Sequence, residues 1–442
     1  MKLNRNMIRL VLCAFLLTAC HNEPKSDPNV SLVDYCVSAF PVGMSLYTAG
    51  NRQYVAYYDS LHQMTVAMRN LPDGPWTYQK LDEKVPWDAH NSVTMCMDKH
   101  GVMHVVGNMH ASPLNYFRTD TTGNIATLHR VDGMVGTQEK RTTYPHFMRL
   151  PDGRILFHYR DGGSGNGSEV YNILNEDGTW SRFLDKPLTD GRGLMNAYMQ
   201  GPIVGPDGLF HLIWVWRDTP DCSTNHDLSY ACSPDLKHWK SADGTDIPLP
   251  ITSLYPSLIV DPAQPGEGMI NGGQRLGFDS QNRPVIAFHK YDAQGNIQIY
   301  ITRFQDNAWK QQCLTDWNYR WEFKGNGAIS FELTMGGVTR HEDKTLHVDY
   351  SRFDFKTGDH WSKVLVVDEE TLTLKEEIEK PRSYPEWIDT LECPFAPDMA
   401  VRTARSGGDG GYLLRWESLS ANRDKKPDRE LPPPSTLKVI KL

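Results

Sequence analysis

Residues 143–167 read TYPHFMRLPDGRILFHYRDGGSGNG and hold the clearest β-hairpin signal of the chain. Their middle, PDG at 151–153, combines residue types that favour tight turns. The run that follows, 154–160, has the aliphatic and aromatic composition of a β-strand. Tyr144 and Arg160 are equally distant from the turn centre, so they are predicted to face each other across the hairpin unless a bulge shifts the register.

The same combination of a turn and an alternating or apolar run recurs along the chain. The seven runs are QYVAYY (53–58), VMHVVG (102–107), RILFHYR (154–160), LFHLIW (209–214), RPVIAF (283–288), TLHVDY (345–350) and YLLRW (412–416). Seven similar antiparallel units of four strands predict an all-β fold, a seven-bladed β-propeller, in which ring closure removes exposed sheet edges. The unequal spacing of the runs leaves an open pair of β-sandwiches as the alternative.

The first residues of the chain have the pattern of a bacterial lipoprotein signal. Basic residues precede an apolar segment, 10–17, that is too short to span a bilayer. The sequence LTAC that ends at Cys20 matches a lipobox, with cleavage before Cys20 and lipidation of its thiol. We therefore expect a cell-envelope lipoprotein, at the outer membrane or facing the periplasm. The predicted division is a signal peptide at 1–19, a lipidated tether at 20–33 and one catalytic propeller domain at 34–442.

Composition limits the partners. The formal net charge is -8 and no basic run stands out, which argues against nucleic acid. An acidic polysaccharide would need a locally positive site on this acidic body. We expect membrane contact through the lipid anchor only, and a monomer. Catalysis is expected to need no cofactor, and the question of a structural calcium or zinc ion stays open because no ligand spacing points to one.

The six cysteines after Cys20 are widely scattered, and a chain of 442 residues can bury a core without crosslinks. Few or no disulfides are therefore expected. Cys222 and Cys232, with His226 between them, could be metal ligands. The alternative is buried cysteines near a turn, which the lack of C-x-x-C spacing favours.

A second hairpin carries a pair of histidines. His90 and His110 are each ten residues from His100, so they are also predicted to face one another. If this unit and the one at 143–167 are neighbours, four ionisable side chains converge at one mouth of the ring, a pattern more typical of a functional site than of structure.

These four residues suit β-elimination next to a carboxylate, which needs a cation, a base and an acid. Arg160 can neutralise a uronate carboxylate, and its charge is expected to lower the pKa of Tyr144, the candidate base, acid or both. His90 is the other candidate base, and His110 is expected to orient it or share its role. The glycine-rich residues 161–167 are expected to form a loop near the sugar, with a plain connector as the alternative.

Several stretches resemble a known family: HNS at 90–92, YP at 144–145, YRDGGSGNG at 159–167 and NHDL at 225–228. They resemble the BNR-type seven-bladed propeller family, which includes ulvan lyases, lyases for the rhamnose-α-1,4-glucuronate linkage and related α-L-rhamnosidases. The resemblance covers most of the mature chain and is most specific between residues 88 and 230. It implies that His90, His110, Tyr144 and Arg160 form the eliminating site.

Within that family, the segment MSLYTAG at 44–50 is similar to the rhamnose-glucuronate lyase branch. The rhamnosidase branch has its catalytic histidine in an early turn at the opposite mouth, where this chain has Ala49. The resemblance thus implies a lyase that acts on an acidic, rhamnose- and uronate-containing polysaccharide of the rhamnose-α-1,4-glucuronate or ulvan type. An α-L-rhamnosidase acting on rhamnose-capped glucuronate in arabinogalactan and a non-catalytic glycan-binding propeller are the alternatives. A glycosidase with paired carboxylates ranks lower, because no converging pair is evident.

Side chains that stack on or clamp sugars are common at propeller mouths. The candidate substrate-binding residues are Asn91, Tyr198, Arg217, His226, Gln274, Arg275, Trp317, Arg320 and Trp321. Packing is the alternative role for each of them.

Overall fold

The structure is a computed structural model that describes residues 28–355 and 357–442. Its regular secondary structure is almost entirely β-strand, with three single-turn 3₁₀ helices (Ile125–Thr127, Cys222–Thr224 and Pro256–Leu258) and one short helix, α1 (Glu386–Asp389). The described part contains no helix with the length and apolar character needed to cross a membrane. Cys20 and the predicted signal peptide lie outside the described residues, so the lipid anchor stays a prediction.

The strands in chain order are β1 (Val30–Cys36), β2 (Ser45–Ala49), β3 (Arg52–Tyr58), β4 (Gln63–Asn70), β5 (Thr77–Lys84), β6 (Thr94–Met97), β7 (Met103–Val106), β8 (His110–Ser112), β9 (Tyr116–Arg118), β10 (His129–Val131), β11 (Thr142–Arg149), β12 (Ile155–Gly163), β13 (Asn166–Leu174), β14 (Trp180–Arg182), β15 (Asn196–Val204), β16 (Phe210–Arg217), β17 (Asn225–Ser233), β18 (Trp239–Lys240), β19 (Asp246–Ile247), β20 (Ile259–Asp261), β21 (Gln274–Phe278), β22 (Pro284–Tyr291), β23 (Ile297–Gln305), β24 (Ala308–Cys313), β25 (Leu333–Arg340), β26 (Thr345–Phe353), β27 (His360–Asp368), β28 (Leu374–Glu379), β29 (Ala400–Arg405), β30 (Gly407–Gly408), β31 (Tyr412–Ser418) and β32 (Ser435–Lys441).

These strands form seven sheets in the described part of the chain. Each of the seven predicted runs contributes a strand to a different sheet, namely β3, β7, β12, β16, β22, β26 and β31. In six sheets this strand pairs antiparallel with the strand immediately before it, and in the seventh β31 pairs with β29. The all-β prediction and the seven hairpins are therefore confirmed.

Each sheet contains a core of four antiparallel strands, as in β11–β12–β13–β14. Some sheets carry additions: β8 joins β11, β30 pairs in parallel with β2, and β19 and β20 extend the sheet of β15–β18. Adjacent sheets share apolar cores, and one cluster combines Val55 of β3, Val105 of β7 and Leu414 of β31.

The first and last strands lie in the same sheet. β1 pairs antiparallel with β32, with Val30 opposite Ile440, so both ends of the described chain are joined in the sheet of β29 and β31. β1 therefore includes residues 30–33, which the sequence assigned to the tether. The partner strand lies about 400 residues away in the chain, which no local sequence pattern reveals.

Candidate active site

The predicted catalytic residues lie at the end of the sheets opposite the seven hairpin turns. Tyr144 is near the start of β11 and Arg160 is near the end of β12. Because these strands are antiparallel, the start of one and the end of the other lie at the same end of the sheet. His90 precedes β6 and His110 begins β8, which pairs with β11 of the next sheet. The structure thus brings all four residues to the same end of two neighbouring sheets.

A β-bulge changes the predicted register of the central hairpin. His146 pairs with His158 as the symmetric turn requires, but Arg160 pairs with Thr143 rather than with Tyr144. Two residues face Tyr159 at the bulge: Tyr144, with φ +54°, and Pro145, which has no N–H for the ladder. The prediction that Tyr144 and Arg160 are cross-strand partners is therefore wrong, although the guanidinium carbon of Arg160 still lies 4.9 Å from the Tyr144 ring centroid.

The true register aligns different residues. Thr143 pairs with Arg160 on one side and with His110 on the other, across the three strands β8, β11 and β12. The Thr143 hydroxyl also accepts a hydrogen bond from the amide of Ala111 at 2.7 Å. Cross-strand neighbours lie side by side, so Thr143 fixes the separation of the histidine and arginine parts of the site.

Arg160 is buried without hydrogen-bond partners. The residue is 3% exposed, and its three side-chain nitrogens have no partner in the described part of the chain. The guanidinium lies between two phenol rings, 4.9 Å from the Tyr144 centroid and 5.5 Å from the Tyr198 centroid. Buried polar groups are normally satisfied, and a guanidinium has five N–H donors. Arg160 therefore presents unused donors at a site suited to an anion.

Gly167 makes room for the Arg160 side chain. A Cβ atom at Gly167 would lie 2.8 Å from Cγ and Cδ of Arg160. We expect Gly167→Ala to displace the guanidinium, to lower the free energy of unfolding by about 1–3 kcal/mol and to reduce turnover. Chemical denaturation and steady-state kinetics measure the two effects. Gly410→Ala is the matched control, because Gly410, like Gly167, lies outside the left-handed region of φ, and no atom lies within 4 Å of its Cβ position.

The expected glycine-rich loop at 161–167 is mostly strand. β12 continues to Gly163 and β13 starts at Asn166, so only Ser164 and Gly165 form the turn. The amide of Gly165 donates to Oδ1 of Asn196 at 2.5 Å, which holds this turn against β15. The expectation of an extended loop was wrong because Gly162 and Gly163 keep their ladder pairing, and their missing side chains do not prevent it.

Tyr198, predicted only as a substrate contact, lies in the centre of the site. Its hydroxyl is 2.8 Å from Oγ of Ser164 and accepts a hydrogen bond from Nη1 of Arg217 at 3.4 Å. Burial opposes ionisation of this phenol, but the charges of Arg160 and Arg217 outweigh it and lower the pKa of Tyr198.

The pKa of Tyr144 is shifted in the opposite direction from that of Tyr198. The residue is 38% exposed, yet crowding of its phenol by protein is the main cause that raises its pKa, and the neighbouring Tyr198 adds to the effect. Arg160 and Arg217 act in the lowering direction without reversing it. The prediction that Arg160 lowers the pKa of Tyr144 gave the correct sign of one contribution and the wrong net result.

The two histidines stack, as predicted, with ring centroids 4.3 Å apart and planes inclined by 29°. A residue not identified from the sequence, Asp88, joins them. Its Oδ1 lies 2.8 Å from Nδ1 of His90 and its Oδ2 lies 2.6 Å from Nδ1 of His110. Burial opposes ionisation of Asp88, but these hydrogen bonds outweigh it and hold the pKa of the carboxyl well below its usual range. The sequence signal for Asp88 was its position two residues before His90, in D-A-H at 88–90.

A second carboxylate also faces His90. Oδ1 of Asp424, in the segment between β31 and β32, lies 3.2 Å from Nδ1 of His90. Burial lowers the pKa of His90, but Asp424 and Asp88 outweigh burial and raise it to about 9. The two carboxylates therefore favour the imidazolium form of His90, and its expected role as a base stays a prediction. Asp424 has no signal in the sequence, because it lies in an irregular polar segment more than 300 residues from His90.

The donor atoms of Asp88, His90, His110 and Asp424 lie within 4.8 Å of one another, close enough for a divalent cation to bridge. However, both imidazole Nδ1 atoms are already at distances typical of charge-assisted hydrogen bonds to Asp88. The group is therefore an ion-paired cluster in this structure.

Three other predicted substrate-binding residues border the site. Arg217 contacts Tyr198 and also donates to the carbonyl of Thr219 at 3.0 Å. Gln274 donates to the carbonyl of Tyr198 at 3.5 Å, and its buried Oε1 has no partner in the described region. Asn91 is buried and donates to the carbonyl of Asp88 at 3.3 Å, so its role is to shape the histidine turn.

The remaining candidates contact other parts of the molecule. His226 lies 2.9 Å from both Asp218 and Asp227, and the three form a separate ion-paired group that includes neither Cys222 nor Cys232. The six cysteines of the described region are free thiols. Arg275 donates to the carbonyls of Gly272, Gln274 and Gly336, Trp317 packs near Tyr350, Arg320 lies over Tyr291, and Trp321 is buried against Phe323. These contacts correspond to the packing alternative.

Two comparisons of sequence bear on this site. The model of the BNR repeat-containing family matches residues 52–317. The short isoform of ulvan lyase from Alteromonas sp. (strain LOR) is 28% identical over 135 residues, which cover 27% of this chain and 25% of that protein. The long isoform from Glaciecola sp. (strain KUL10) is 32% identical over 90 residues, or 20% of this chain and 8% of that protein. The matches thus span a quarter or less of these curated relatives.

Solved structures match this chain over most of its length. The polysaccharide lyase Uly1 superposes with a TM-score of 0.59 at 14% identity, covering 91% of this chain and 90% of that one. An ulvan lyase of family PL25, bound to -[GlcA(1-4)Rha3S]-, superposes with a TM-score of 0.58 at 12% identity, covering 93% and 95%. At these identities the likeness establishes a shared fold.

Proposed function

Because the chain belongs to the BNR repeat-containing family, we propose that it is a polysaccharide lyase that cleaves the L-rhamnose-α-1,4-D-glucuronate linkage by breaking the C4–O4 bond of the glucuronate. The observation that carries this proposal is the buried guanidinium of Arg160, with three unpartnered nitrogens between the rings of Tyr144 and Tyr198. A uronate supplies the missing partner, since a carboxylate can accept two N–H groups of one guanidinium.

The reaction is a β-elimination. A base removes the proton on C5 of the glucuronate, the electrons form the C4–C5 double bond, and the C4–O4 bond breaks. The departing O4 stays on rhamnose and takes a proton, and the other product is a 4,5-unsaturated uronate. Arg160 stabilises the negative charge that develops on the carboxylate as the C5 proton leaves. Because Arg160 is 3% exposed, the substrate must displace a phenol ring to reach it, and the exposed, bulged Tyr144 is the ring in position to move.

Tyr198 is the base in this mechanism. Two guanidinium groups, Arg160 and Arg217, lie 5.5 and 5.3 Å from its ring centroid and favour the phenolate. The Ser164 hydroxyl, 2.8 Å from the phenol oxygen, fixes its position. A phenolate beside the same guanidinium that binds the carboxylate is close to C5, the carbon that bears that carboxylate.

Protonated donors lie on the other side of Tyr144. The ring centroids of His90 and Tyr144 are 5.9 Å apart, and those of Tyr144 and Tyr198 are 6.2 Å apart. The side chains thus form a row from the histidine pair to Arg217. Arg160, Arg217 and the base Tyr198 lie towards one end of this row. The Tyr144 phenol and the His90 imidazolium lie towards the other end, where they can protonate O4.

The fold proposed for this lyase is a closed ring. We propose that the seven sheets are blades of a seven-bladed propeller and that the pairing of β1 with β32 closes it. Such closure places residues from the second, third, fourth and last sheets at one mouth. The proposed partner is an acidic polysaccharide of the rhamnose-glucuronate type.

The test is an assay of the mature protein on two glycans, rhamnose-capped arabinogalactan and ulvan. We expect ultraviolet absorbance from the conjugated uronate to rise together with release of rhamnose from arabinogalactan. Rhamnose release without absorbance would instead indicate the hydrolase, and binding without either signal would indicate a glycan-binding module. Absorbance on ulvan alone would retain the lyase and would indicate a sulfated polymer, rather than the rhamnose cap of arabinogalactan, as its substrate.

A further inference from the structure

The segment between β31 and β32, residues 419–434, reaches from the last sheet to the histidine pair of the second sheet. Its start is held by the amide of Leu419, which donates to the carbonyl of Ser38 at 2.8 Å. Its middle is held by Arg423, whose Nη1 donates to the carbonyls of Lys324 and Asn326 at 2.7 and 3.1 Å. The segment therefore has a fixed position above the site.

Asp424 is placed by this framework. The amide of Ala328 donates to its Oδ2 at 3.1 Å, while the amide of Arg423 donates to the carbonyl of Ala328 at 2.9 Å. Arg423 and Asp424 both have positive φ, 55° and 58°, which is unfavourable for residues other than glycine. They are the two central residues of a tight turn that is closed by the amide of Lys425, which donates to the carbonyl of Asn422 at 3.0 Å.

The free oxygen of Asp424 points to His90. Oδ1 is buried, has no hydrogen-bond partner in the described chain and lies 3.2 Å from Nδ1 of His90. The carboxylate side chain is only 16% exposed, and its ion-pair partner among the described residues is His90. A buried carboxylate without a positive partner is costly, so the charge of Asp424 favours the imidazolium form of His90.

Asp88 does not serve His90 alone, because its one carboxylate contacts the imidazoles of both His90 and His110. The charged groups around His90 are Asp88 and Asp424, with His110 stacked on its ring and the Tyr144 phenol beside it. With both carboxylates at Nδ1, the other ring nitrogen, Nε2, is the one available to a substrate.

We propose that Asp424 is a positioning residue that, together with Asp88, keeps His90 as an imidazolium with Nε2–H directed to the substrate, where it donates the proton to the departing O4. This inference rests on the proposed lyase function. Upon elimination, the C4–O4 electron pair goes to O4, Nε2–H transfers its proton there, and His90 is left neutral between two carboxylates. Solvent returns the proton before the next turnover.

The first test needs no turnover. Imidazole NMR of the full-length protein, with His90 assigned through His90→Gln, should show His90 titrating near pH 9, and at a clearly lower pH in Asp424→Asn. Asn keeps the size and the acceptor for the Ala328 amide but removes the charge. Asp428→Asn, an exposed carboxylate in the same segment, is the matched control and should leave the titration unchanged. Titration of His90 near pH 6.5 in the unmodified protein overturns the inference without any variant.

The second test is kinetic. Asp424→Asn should lower kcat about tenfold at pH 8 with less than a twofold change in KM, because the acid acts after substrate binds. Activity falls as pH rises through the pKa of the acid, so this alkaline limit should move to lower pH in Asp424→Asn and not in Asp428→Asn. An unchanged limit contradicts the inference. A shifted NMR titration in a protein without lyase activity would contradict the proposed function and leave the placement of His90 by Asp424 intact.

Discussion

Arg160→Ala is expected to lower kcat/KM on a uronate-containing glycan by about 10³-fold, with the protein still folded. The guanidinium has three buried, unpartnered nitrogens, so its removal eliminates the group that binds the carboxylate and stabilises the charge developing next to C5. It also removes one of the two charges that favour the Tyr198 phenolate. Steady-state measurement of the unsaturated uronate product quantifies the loss.

The matched control is Arg154→Ala. Arg154 lies at the turn of the same hairpin, is exposed and forms an ion pair with Asp152 at 2.7 Å. Exposed ion pairs of this kind contribute little, so its replacement should leave both activity and stability close to those of the unmodified protein. Equal activity losses in Arg154→Ala and Arg160→Ala would attribute the effect to the hairpin rather than to the site.

Stability provides an independent check on the same residue. A buried cation without hydrogen bonds destabilises the folded state, so the apolar variant Arg160→Met should unfold at an equal or higher denaturant concentration while being inactive. The ring contacts with Tyr144 and Tyr198 limit the gain, since cation–π contacts stabilise by about 0.5–2 kcal/mol. A fall of several kcal/mol in the free energy of unfolding would mean that Arg160 is structural and would contradict the proposal.

Tyr198→Phe is expected to lower kcat by about 10²–10⁴-fold, because the phenol oxygen takes the C5 proton. Only the phenolate is active, so kcat/KM in the unmodified protein should rise with pH through the lowered pKa of Tyr198. Arg217→Gln removes one of the charges that lower this pKa, so the rising limit should move to higher pH. The pH dependence of kcat/KM measures both effects.

Tyr144→Phe is the comparison that separates the two tyrosines. The pKa of Tyr144 is raised, so its phenol keeps its proton and cannot produce the rising limit. Its loss should reduce turnover without moving that limit. If Tyr198→Phe kept the rising limit and Tyr144→Phe abolished it, the assignment of base and donor would have to be exchanged.

Much of the fold follows from local sequence. The turn at 151–153 and the strand after it are specified by neighbouring residues, and this holds for all seven hairpins. The histidine pair was also predictable, because the register around residue 100 is symmetric, with Met97 opposite Met103. Where no bulge interrupts the strand pairing, counting residues from the turn centre is sufficient to predict which residues face each other.

The same counting failed for Tyr144 because a bulge at Tyr144 and Pro145 adds a residue to one strand. Proline lacks the N–H that the ladder would use, yet its presence alone did not fix where the register would shift. The direction of the Tyr144 pKa could not be predicted either. It depends on how much protein surrounds the phenol and on the nearby Tyr198, which belongs to another sheet.

The sequence by itself determined the strands, the turns and the identity of the four residues His90, His110, Tyr144 and Arg160, because hairpins depend on contacts between near neighbours in the chain. Only the tertiary structure decided which charged groups surround them. Asp424 and Arg217 lie far away in the chain, and electrostatic interactions depend on distance in space rather than along the chain. For this reason the proposed mechanism has a protonated His90 and uses Tyr198 rather than Tyr144 as the base.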